Sequence, residues 1–591
     1  MDLTRREFGL LVGETAVAAA LPLRAQQAAP AGAPVLDIAD WGYYWYGVER
    51  ATLARGTVVN GGQMFVEHWI PAAVRHPYSI VLIHGGYGQG SDWLSTIDGR
   101  RGWASEFLAQ GYKVYVVDRP GQGRNPFQPF VHGLFDAQAP TFEKVASDLK
   151  KSVSDPVVAQ AIASMNQPMA NNAVTQALWR SRGAMLLEDI GPSILVTHGD
   201  GMDFARVTAQ ARPALVKGVV AVDSLDPSLD PTTSTVVEAF QEPAIVGRGI
   251  DPNQNRESTA LKLADQGCFW VGVQKKKMPY GTIAQGQMFV QYMIPAERRH
   301  QYPVILIHGG GAQGTHMMGL GRRPGWVHYF VQAGYAVYWI DRPSYGRSPY
   351  HPDALGPSHL NNVPPYEALL DATNVFKTAQ WPGPGGINDE FIGQFMACES
   401  GNTSDEAFHS DLVWAGGVEL VDRIGPCIIH GHAFGGMFGW GVADRRASMI
   451  KGIVCMEING NPFERQLRWG ITASPMTYDP PVSAITDFTL VDRTPPADSP
   501  RPIASPYKLQ AEPARQWKNL KGIPIAWLTS EFGAGGSPVA NVAFLKQVGC
   551  SVEMLRLRDY GILGNGNLML MEKNNHEVFG VIDRWLGSRV P

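Results

Sequence analysis

One long stretch of this 591-residue chain occurs twice. Residues 59–90 and 283–314 align without a gap, and 18 of the 32 positions are identical. Further matching segments follow, ending with KGVVAVD at 217–223 and KGIVCME at 451–457. A period of about 230 residues is far too long for a solenoid repeat, so we predict an internal duplication with two tandem domains.

Within each copy, short runs rich in Val, Ile and Leu alternate with longer amphipathic stretches. SIVLIHGG, YKVYVVDRP, SILVTHG and GVVAVD have the pattern of strands that are apolar on both faces. Strands of this kind joined by helices predict an α/β fold with a mainly parallel sheet covered on both sides. Ligands of such sheets bind beyond the carboxyl ends of the strands, so functional residues are expected in the turns that follow them.

The two copies differ in completeness. After Glu457 the second copy continues with segments at 523–533 and 551–562 that predict two further strands. The first copy has only about 40 residues in that place, many of them Pro, Thr or Ser. We therefore predict a truncated α/β domain at 35–255 and a complete one at 256–591. Because an uncovered sheet edge favours pairing, we expect the copies to pack closely or the chain to form a homo-oligomer.

Residues 1–34 differ in kind from the rest of the chain. They begin with the pair Arg5-Arg6, continue with a mildly apolar stretch and end in the linker QQAAPAGAP. This pattern predicts an export signal of the twin-arginine type, and hence a periplasmic or extracellular protein. Glu14 within the apolar stretch argues against a membrane span.

Composition excludes several classes of function. The 50 basic and 54 acidic residues give a net charge of −4 with no long run of either sign, so we do not expect nucleic-acid binding. The five cysteines are scattered without a C-x-x-C pair, and neither a metal site nor a cofactor is predicted. Their spacing does not decide whether a disulfide forms. The Gly-rich turns HGGYGQG and HGGGAQG lack the G-x-G-x-x-G spacing of dinucleotide-binding loops.

The segment CIIHGHAFGGMFGWG, residues 427–441, has the form of a nucleophile elbow. An apolar strand enters a turn of small residues and a helix leaves it, which lifts a nucleophilic oxygen clear of the sheet. The motif G-x-S-x-G requires serine at its third position, where this chain has Ala433. The first copy has THGDG, with Gly199 at that position.

The order of these segments resembles the α/β-hydrolase superfamily. Finer motifs, among them TAQWPGPGGINDEFIGQF and GNGNLMLMEKNN, are similar to a group of secreted bacterial esterases. Those esterases use a serine in the elbow, a glutamate after the next strand and a histidine in a G-N-x-H motif. The resemblance therefore implies Ala433 at the nucleophile position, Glu457 as the acid and Asn567 at the histidine position. His576, nine residues further on, is a weak alternative base.

The resemblance also implies a site for the oxyanion of an ester-hydrolysis intermediate. In HGGGAQG the amide of Gly310 or Gly311 would be one donor, and the amide of Phe434 the other. His308 and His432 would line the pocket. The counterparts in the first copy are His84, Gly85, Gly86, Gly199 and Asp223.

Two functional hypotheses follow from a scaffold without its serine and histidine. In the first, an exported protein of esterase lineage binds a small apolar ester or carboxylic acid and hydrolyses it weakly or not at all. In the second, the chain is a carboxylic ester hydrolase that uses rearranged groups or that was inactivated artificially. An artificial change would explain Ala433 but neither Asn567 nor Gly199. A third, lesser alternative is acid–base chemistry by Glu457 and a water molecule.

Overall fold

The computed structural model describes residues 34–127, 132, 135, 137–167, 169–222, 259–357, 365–372, 374–401, 405–458, 460–495, 506–533 and 537–590. The predicted export signal, except its last residue, and Asp223 lie outside this part of the chain. We call the described residues up to 222 the first half and those from 259 the second half. In neither half is any helix long and apolar enough to cross a membrane.

The strands and helices alternate along much of the chain. The strands are β1 (Leu36–Tyr46), β2 (Arg50–Leu53), β3 (Gly56–Val59), β4 (Met64–Pro71), β5 (Ser79–Ile83), β6 (Val114–Asp118), β7 (Ser193–His198), β8 (Val216–Val222), β9 (Leu261–Val271), β10 (Gln274–Met278), β11 (Gly281–Gln285), β12 (Met288–Pro295), β13 (Val304–Ile307), β14 (Gly319–Leu320), β15 (Arg323–Pro324), β16 (Val337–Asp341), β17 (Cys427–His432), β18 (Ile450–Met456), β19 (Leu490–Arg493), β20 (Tyr507–Gln510), β21 (Pro524–Thr529) and β22 (Ser551–Arg556). The α-helices are α1 (Trp103–Ala109), α2 (Phe142–Asp148), α3 (Pro156–Ser164), α4 (Ala173–Ile190), α5 (Gly201–Ala211), α6 (Thr315–Met318), α7 (Trp326–Gln332), α8 (Pro352–Leu355), α9 (Tyr366–Ala372), α10 (Glu390–Met396), α11 (Glu406–Ile424), α12 (Gly436–Arg445), α13 (Pro538–Gln547) and α14 (Asn575–Arg589).

Among the described residues one sheet has 14 strands, in the order β22-β21-β18-β17-β13-β16-β12-β9-β1-β4-β6-β5-β7-β8. The outer strands on both sides pair in parallel, whereas β1, β4, β9 and β12 in the middle pair antiparallel. Strands β5 and β13 are buried along their whole length, because helices cover both faces of the sheet. The predicted α/β fold with a mainly parallel sheet is confirmed.

The two halves meet at the antiparallel pair formed by β1 and β9. Leu36 lies opposite Leu263, and Ile38 lies opposite Leu261. Outward from this pair the strand orders match, β1-β4-β6-β5-β7-β8 in the first half and β9-β12-β16-β13-β17-β18 in the second, which β21 and β22 extend. Each half therefore supplies hydrogen-bond partners for an edge that would otherwise be open.

The aromatic segment WGYYWYG of β1 lies at this junction and packs into the core. Trp41 is 1% exposed, and its ring centroid lies 4.8 Å from that of His328 and 5.7 Å from that of Trp339, both in the second half. Its indole N–H donates to Glu67 at 3.0 Å. Aromatic packing of this kind adds to the burial of apolar area and fixes one half against the other.

Two arginines also form ion pairs between the halves, each with an acidic residue of the other half. Arg124 of the first half lies 2.9 Å from the carboxylate of Asp341, and Arg347 of the second lies 3.1 Å from that of Asp118. Arg347 also contacts Glu67 at 3.1 Å. All five side chains are fully buried. Asp118 and Asp341 end the equivalent strands β6 and β16, so the exchange is reciprocal, and each charge depends on a partner in the other half.

Candidate functional site

Ala433 lies in a sharp turn between β17 and α12. The strand ends at His432, Ala433 begins a short 3-10 turn, and the helix starts at Gly436. The φ angle of Ala433 is 47°, in the left-handed region that residues with a Cβ atom rarely adopt. This is the strand–turn–helix geometry of a nucleophile elbow. The backbone geometry is thus present around a side chain without a reactive atom.

Two glycines make this tight turn possible. A Cβ atom on Gly435 would lie 2.0 Å from the carbonyl oxygen of His308, and one on Gly431 would lie 2.4 Å from the Cα atom of Gly436. Neither distance is compatible with a side chain. The small residues that flank Ala433 are therefore required by the close approach of the helix to the strand.

The turn after β13 lies directly against the elbow. A Cβ atom on Gly309 would be 3.0 Å from that of Ala433, whereas one on Gly310 would meet no atom within 4 Å. The Arg342 guanidinium donates to the carbonyl oxygens of Gly309 at 2.6 Å and Gly310 at 2.5 Å. Because C=O and N–H point in opposite directions across a trans peptide bond, these contacts turn the N–H groups of Gly310 and Gly311 away from Arg342. The arginine thus orients the two predicted oxyanion donors.

His308 belongs to the support of this turn. Its Nδ1 lies 2.9 Å from the carbonyl oxygen of Gly309, and its Nε2 accepts the N–H of Arg342 at 3.1 Å. Burial and the neighbouring guanidinium hold the pKa of His308 well below its ordinary value, which fits a neutral ring that donates once and accepts once. His84 makes the same two contacts in the first half. Both ring nitrogens of His308 therefore hold backbone groups of the turn, and its place in the pocket lining stays a prediction.

His432 and Asn567 lie side by side next to the elbow. His432 Nε2 is 2.9 Å from the carbonyl oxygen of Asn567, and burial lowers the pKa of His432 to about 4, so the ring is neutral. Its Nδ1 and the Oδ1 atom of Asn567 are buried and have no hydrogen-bond partner among the described residues. Buried polar atoms are normally paired. The site therefore offers two acceptors to a ligand that carries a donor.

Glu457 follows β18 and is buried at the carboxyl end of the sheet. Its carboxylate accepts the N–H of Ser530 at 2.5 Å and the hydroxyl of Ser530 at 2.8 Å. Since β18 lies between β17 and β21, the acid position and the elbow lie at the same edge. Ala433 and Glu457 thus directly follow neighbouring strands, and Asn567, in the loop after β22, lies against His432.

A second buried carboxylate, Glu572, supports the loop that carries Asn567. It is 0% exposed, and it accepts the N–H of Gly566 at 2.9 Å, the hydroxyl of Thr378 at 3.0 Å and the amide of Asn565 at 2.6 Å. Burial raises the pKa of Glu572 to about 7, with Glu457 acting in the same direction. Sequence reasoning missed this residue, although a lone charge ending the apolar run LMLME was a usable signal.

Glu572 is expected to make stability depend on pH. Its folded pKa of about 7 lies above the ordinary 4.5, so the folded chain retains a proton that the unfolded chain releases. The stabilisation of the folded chain by this retained proton is complete below pH 4.5 and is lost as the pH rises towards 7. At about 1.4 kcal/mol per pKa unit it amounts to about 3 kcal/mol.

Urea unfolding at several pH values should show this loss in the native chain, and Glu572→Gln should remove it. Glu553→Gln is the control. Glu553 is half-buried, and Arg589 lowers the pKa of its carboxyl group, so this variant should keep the loss of stability between pH 4.5 and 7. An identical pH profile for both variants would contradict the assignment.

His576 lies away from the elbow. It is an exposed residue of α14, and its ring stacks on Tyr329 with a centroid distance of 4.5 Å. Ala433 is 3% exposed and buried under the turn. No contact between His576 and the elbow is seen among the described residues, so the alternative base at His576 stays a prediction.

The first-half counterpart of the site is blocked. Gly199 has a φ angle of 52°, close to that of Ala433, but the next residue is Asp200. A Cβ atom on Gly86 would lie only 2.4 Å from the Asp200 carboxylate. This anion lies against Gly85 and Gly86, where an oxyanion would have to bind. The turn of the first half therefore cannot stabilise a second negative charge.

Two cavities lie near the junction of the halves. One, of about 870 Å³, is lined by residues that include Tyr44, Asp189 and Arg322. The other, of about 300 Å³, lies between the loops that follow β6 and β16 and reaches Ser400. Neither is lined by Ala433. The Ala433 side chain is buried, whereas Gly310 of the adjoining turn is exposed, so a ligand would reach the elbow from the side of Gly310.

Comparison with known proteins assigns the chain to a family. The model of the alpha/beta hydrolase family matches residues 80–267. A fungal protein described as "Probable secreted lipase phiG", from Fungal sp. (strain ATCC 74256), is 33% identical over 316 residues, which are 51% of this chain and 85% of that protein. This chain therefore belongs to the alpha/beta hydrolase family.

Solved structures align with slightly more than half of the chain's length. A structure described as a novel bacterial esterase is 20% identical, with a TM-score of 0.40, and covers 57% of this chain and 100% of its own. Naproxen esterase (carboxylesterase NP) from Bacillus subtilis is 11% identical, with a TM-score of 0.27, and covers 54% of this chain and 92% of its own.

Proposed function

We propose that this chain is an exported protein of carboxylic-ester-hydrolase lineage that binds a small apolar ester or carboxylic acid with weak or no hydrolysis. One observation carries the proposal: the elbow keeps its strained φ angle of 47° at Ala433, although no nucleophilic atom is present. The open space above Gly310 leaves room for an ester or an acid. The unpaired acceptors on His432 and Asn567 suit the protonated form of a carboxylic acid, which can donate one hydrogen bond and accept others. The competing hypothesis, an active carboxylesterase, is favoured by Glu457, which stands at the acid position.

The proposal includes a duplicated architecture and an export route. The matching strand orders of the halves support two α/β-hydrolase-like units, a truncated one at 35–255 and a complete one at 256–591. The Arg5-Arg6 pair supports export by the twin-arginine route, to the periplasm or outside the cell. The relative described as a secreted lipase supports both export and an ester-like ligand. In this view the first unit covers an edge of the second and binds nothing at its blocked turn.

A single added methyl group tests whether ligands bind at the elbow. Gly310→Ala places a methyl group in the open space above the turn, where no atom lies within 4 Å, so the fold is retained and the ligand is displaced. Overpacking a fitted site costs about 1–3 kcal/mol, so the variant should bind about 10- to 100-fold more weakly. Calorimetric titration with butyric, benzoic and octanoic acids would measure this.

The matched control is Gly386→Ala, at a glycine that also has no neighbour within 4 Å. It should bind the acids as the native chain does. Turnover of the 4-nitrophenyl esters of the three acids is measured in parallel, and native rates at or above about 1 s⁻¹, the lower end of the usual range for enzymes, would establish the competing hypothesis. Equal binding by the native chain and Gly310→Ala would place the ligand elsewhere.

A further inference from the structure

Three buried side chains of different chemistry meet beside the oxyanion turn. They are His316, Cys398 and Glu399, and their ligand atoms all lie within 4.8 Å of one another. His316 Nε2 is 3.1 Å from the sulfur of Cys398. The exposed fractions of the three residues are 3%, 1% and 8%. None belongs to the predicted triad, and the histidine and the cysteine are 82 residues apart in the sequence.

The fold holds this cluster against the elbow. His316 lies in α6, directly after the oxyanion turn, and Cys398 and Glu399 follow α10. The N–H of Ser400 donates to the carbonyl oxygen of Gly311 at 2.9 Å, and the Gln313 amide donates to the carbonyl oxygen of Cys398 at 3.1 Å. These two hydrogen bonds thus hold the segment of Cys398 and Glu399 against the oxyanion turn.

The polar atoms of the cluster are poorly satisfied by the protein itself. Nδ1 of His316 is buried without a hydrogen-bond partner among the described residues. Glu399 is only 8% exposed, and Arg342 is the neighbouring cation that acts on its carboxylate. The Cys398 thiol has two acceptors, the carbonyl oxygen of Phe395 at 3.2 Å and His316 Nε2, but only one hydrogen to donate. Leaving a buried polar group without a partner costs free energy. A bound cation would satisfy the carboxylate, the sulfur and the imidazole together.

We propose that His316 Nε2, Cys398 Sγ and the Glu399 carboxylate bind one zinc ion. Nitrogen, sulfur and carboxylate oxygen are the ligands that Zn²⁺ takes in proteins, whereas a thiolate disfavours Mg²⁺ and Ca²⁺. Three protein ligands leave a fourth tetrahedral position for water or for a carboxylate ligand. Zinc bonds of about 2.0–2.3 Å require the histidine and the sulfur to separate by about half an ångström from their 3.1 Å contact. The cavity that reaches Ser400 supplies a route to within one residue of Glu399.

This site is independent of the proposed binding function. It uses neither Ala433 nor Asn567, so zinc can bind whether or not an ester or acid does. The alternative is an ordinary hydrogen bond between the Cys398 thiol and His316, with no ion. The two possibilities differ in metal content, which can be measured without any activity assay.

Zinc titration of the full chain tests the proposal. Protein dialysed against a chelator is titrated with Zn²⁺ in competition with a chromophoric chelator, and the native chain is expected to bind one equivalent. Loss of a group that only orients a metal ligand weakens metal binding roughly 10- to 100-fold. Because Cys398 and Glu399 are proposed as direct ligands, Cys398→Ser and Glu399→Gln should each weaken zinc binding by more than this. Cys550→Ser, at another buried cysteine, should bind as the native chain does. Glu399→Gln retains the shape of the side chain and remains decisive if Cys398→Ser does not fold.

Cobalt gives a spectroscopic readout of the same site. The native chain and Cys550→Ser loaded with Co²⁺ should show a thiolate-to-cobalt charge-transfer band in the near ultraviolet, and Cys398→Ser should lack it. The proposal is overturned if the native chain binds no stoichiometric zinc, or if all the variants bind it equally. Each variant is first purified by gel filtration, and its near-ultraviolet circular dichroism spectrum is compared with that of the native chain to check that it is folded.

Discussion

Ala433→Ser combined with Asn567→His is expected to raise ester hydrolysis by at least about 10³-fold over the native chain, because the members of a catalytic triad act as a unit. The elbow already holds residue 433 at a φ angle of 47°, so a serine hydroxyl would occupy the nucleophile position without a change in the backbone. The carbonyl oxygen of residue 567 is held 2.9 Å from the His432 ring, which fixes the new histidine close to the elbow. Glu457, the predicted acid, follows the neighbouring strand β18 and would orient the new histidine.

Each single variant is expected to remain within about tenfold of the native chain, because a serine without a base and a base without a serine are both ineffective. Initial rates with 4-nitrophenyl acetate, butyrate and octanoate measure all four proteins. Gly199→Ser is the matched control, since it adds a serine at the equivalent turn of the first half. It should gain nothing, because the Asp200 carboxylate lies against the oxyanion turn there.

The possible outcomes separate the hypotheses. If only the double variant hydrolyses esters, the native chain is a lapsed or inactivated esterase with intact geometry. If the native chain is equally active, another group performs the chemistry and the assignment of Ala433 and Asn567 is wrong. If no variant is active although Gly310→Ala still weakens binding, the pocket is retained but the triad geometry is lost.

The alternation of strands and helices could be predicted from the sequence because it is encoded locally. Runs such as VLI in β5 are buried on both faces, and that burial requires the apolar pattern from which they were predicted. The pairing of β1 with β9 could not be predicted, since either strand could have formed an edge. The ion pairs of Arg124 and Arg347 could not be predicted either. Each arginine lies six residues after an aspartate of its own copy, but it pairs with the equivalent aspartate of the other copy.

In the site, too, features set by neighbouring residues could be predicted, and features set by contacts between distant residues could not. The elbow turn followed from its glycines, which are required sterically whether or not a serine is present. The supporting role of His308 was not predicted, because its motif position does not reveal that both ring nitrogens bind backbone. The cluster of His316, Cys398 and Glu399 has no sequence signature, since it is formed by two segments that only the fold brings together.

Arg347→Met is expected to destabilise the chain by about 3–5 kcal/mol, because removal of one member of a buried ion pair leaves the other charge uncompensated. Arg347 is fully buried and contacts Asp118 and Glu67, each at 3.1 Å. Both carboxylates belong to the first half, so the loss also weakens the attachment between the halves. Against a typical total of about 5–15 kcal/mol, this is the largest effect on stability that we expect from one substitution. Urea unfolding followed by tryptophan fluorescence would measure it.

Two further variants separate the buried charge from a general effect of losing an arginine. Arg446→Met removes an exposed partner of Asp422 and should cost far less than Arg347→Met, because water screens exposed ion pairs. Adding Glu67→Gln to Arg347→Met should recover part of the loss, because it removes one uncompensated carboxylate and reproduces Gln291, which contacts Arg124 at the equivalent place. If Arg347→Met costs no more than Arg446→Met, the reciprocal ion pairs do not hold the halves together, and the attachment depends on the β1–β9 pairing and the aromatic packing around Trp41.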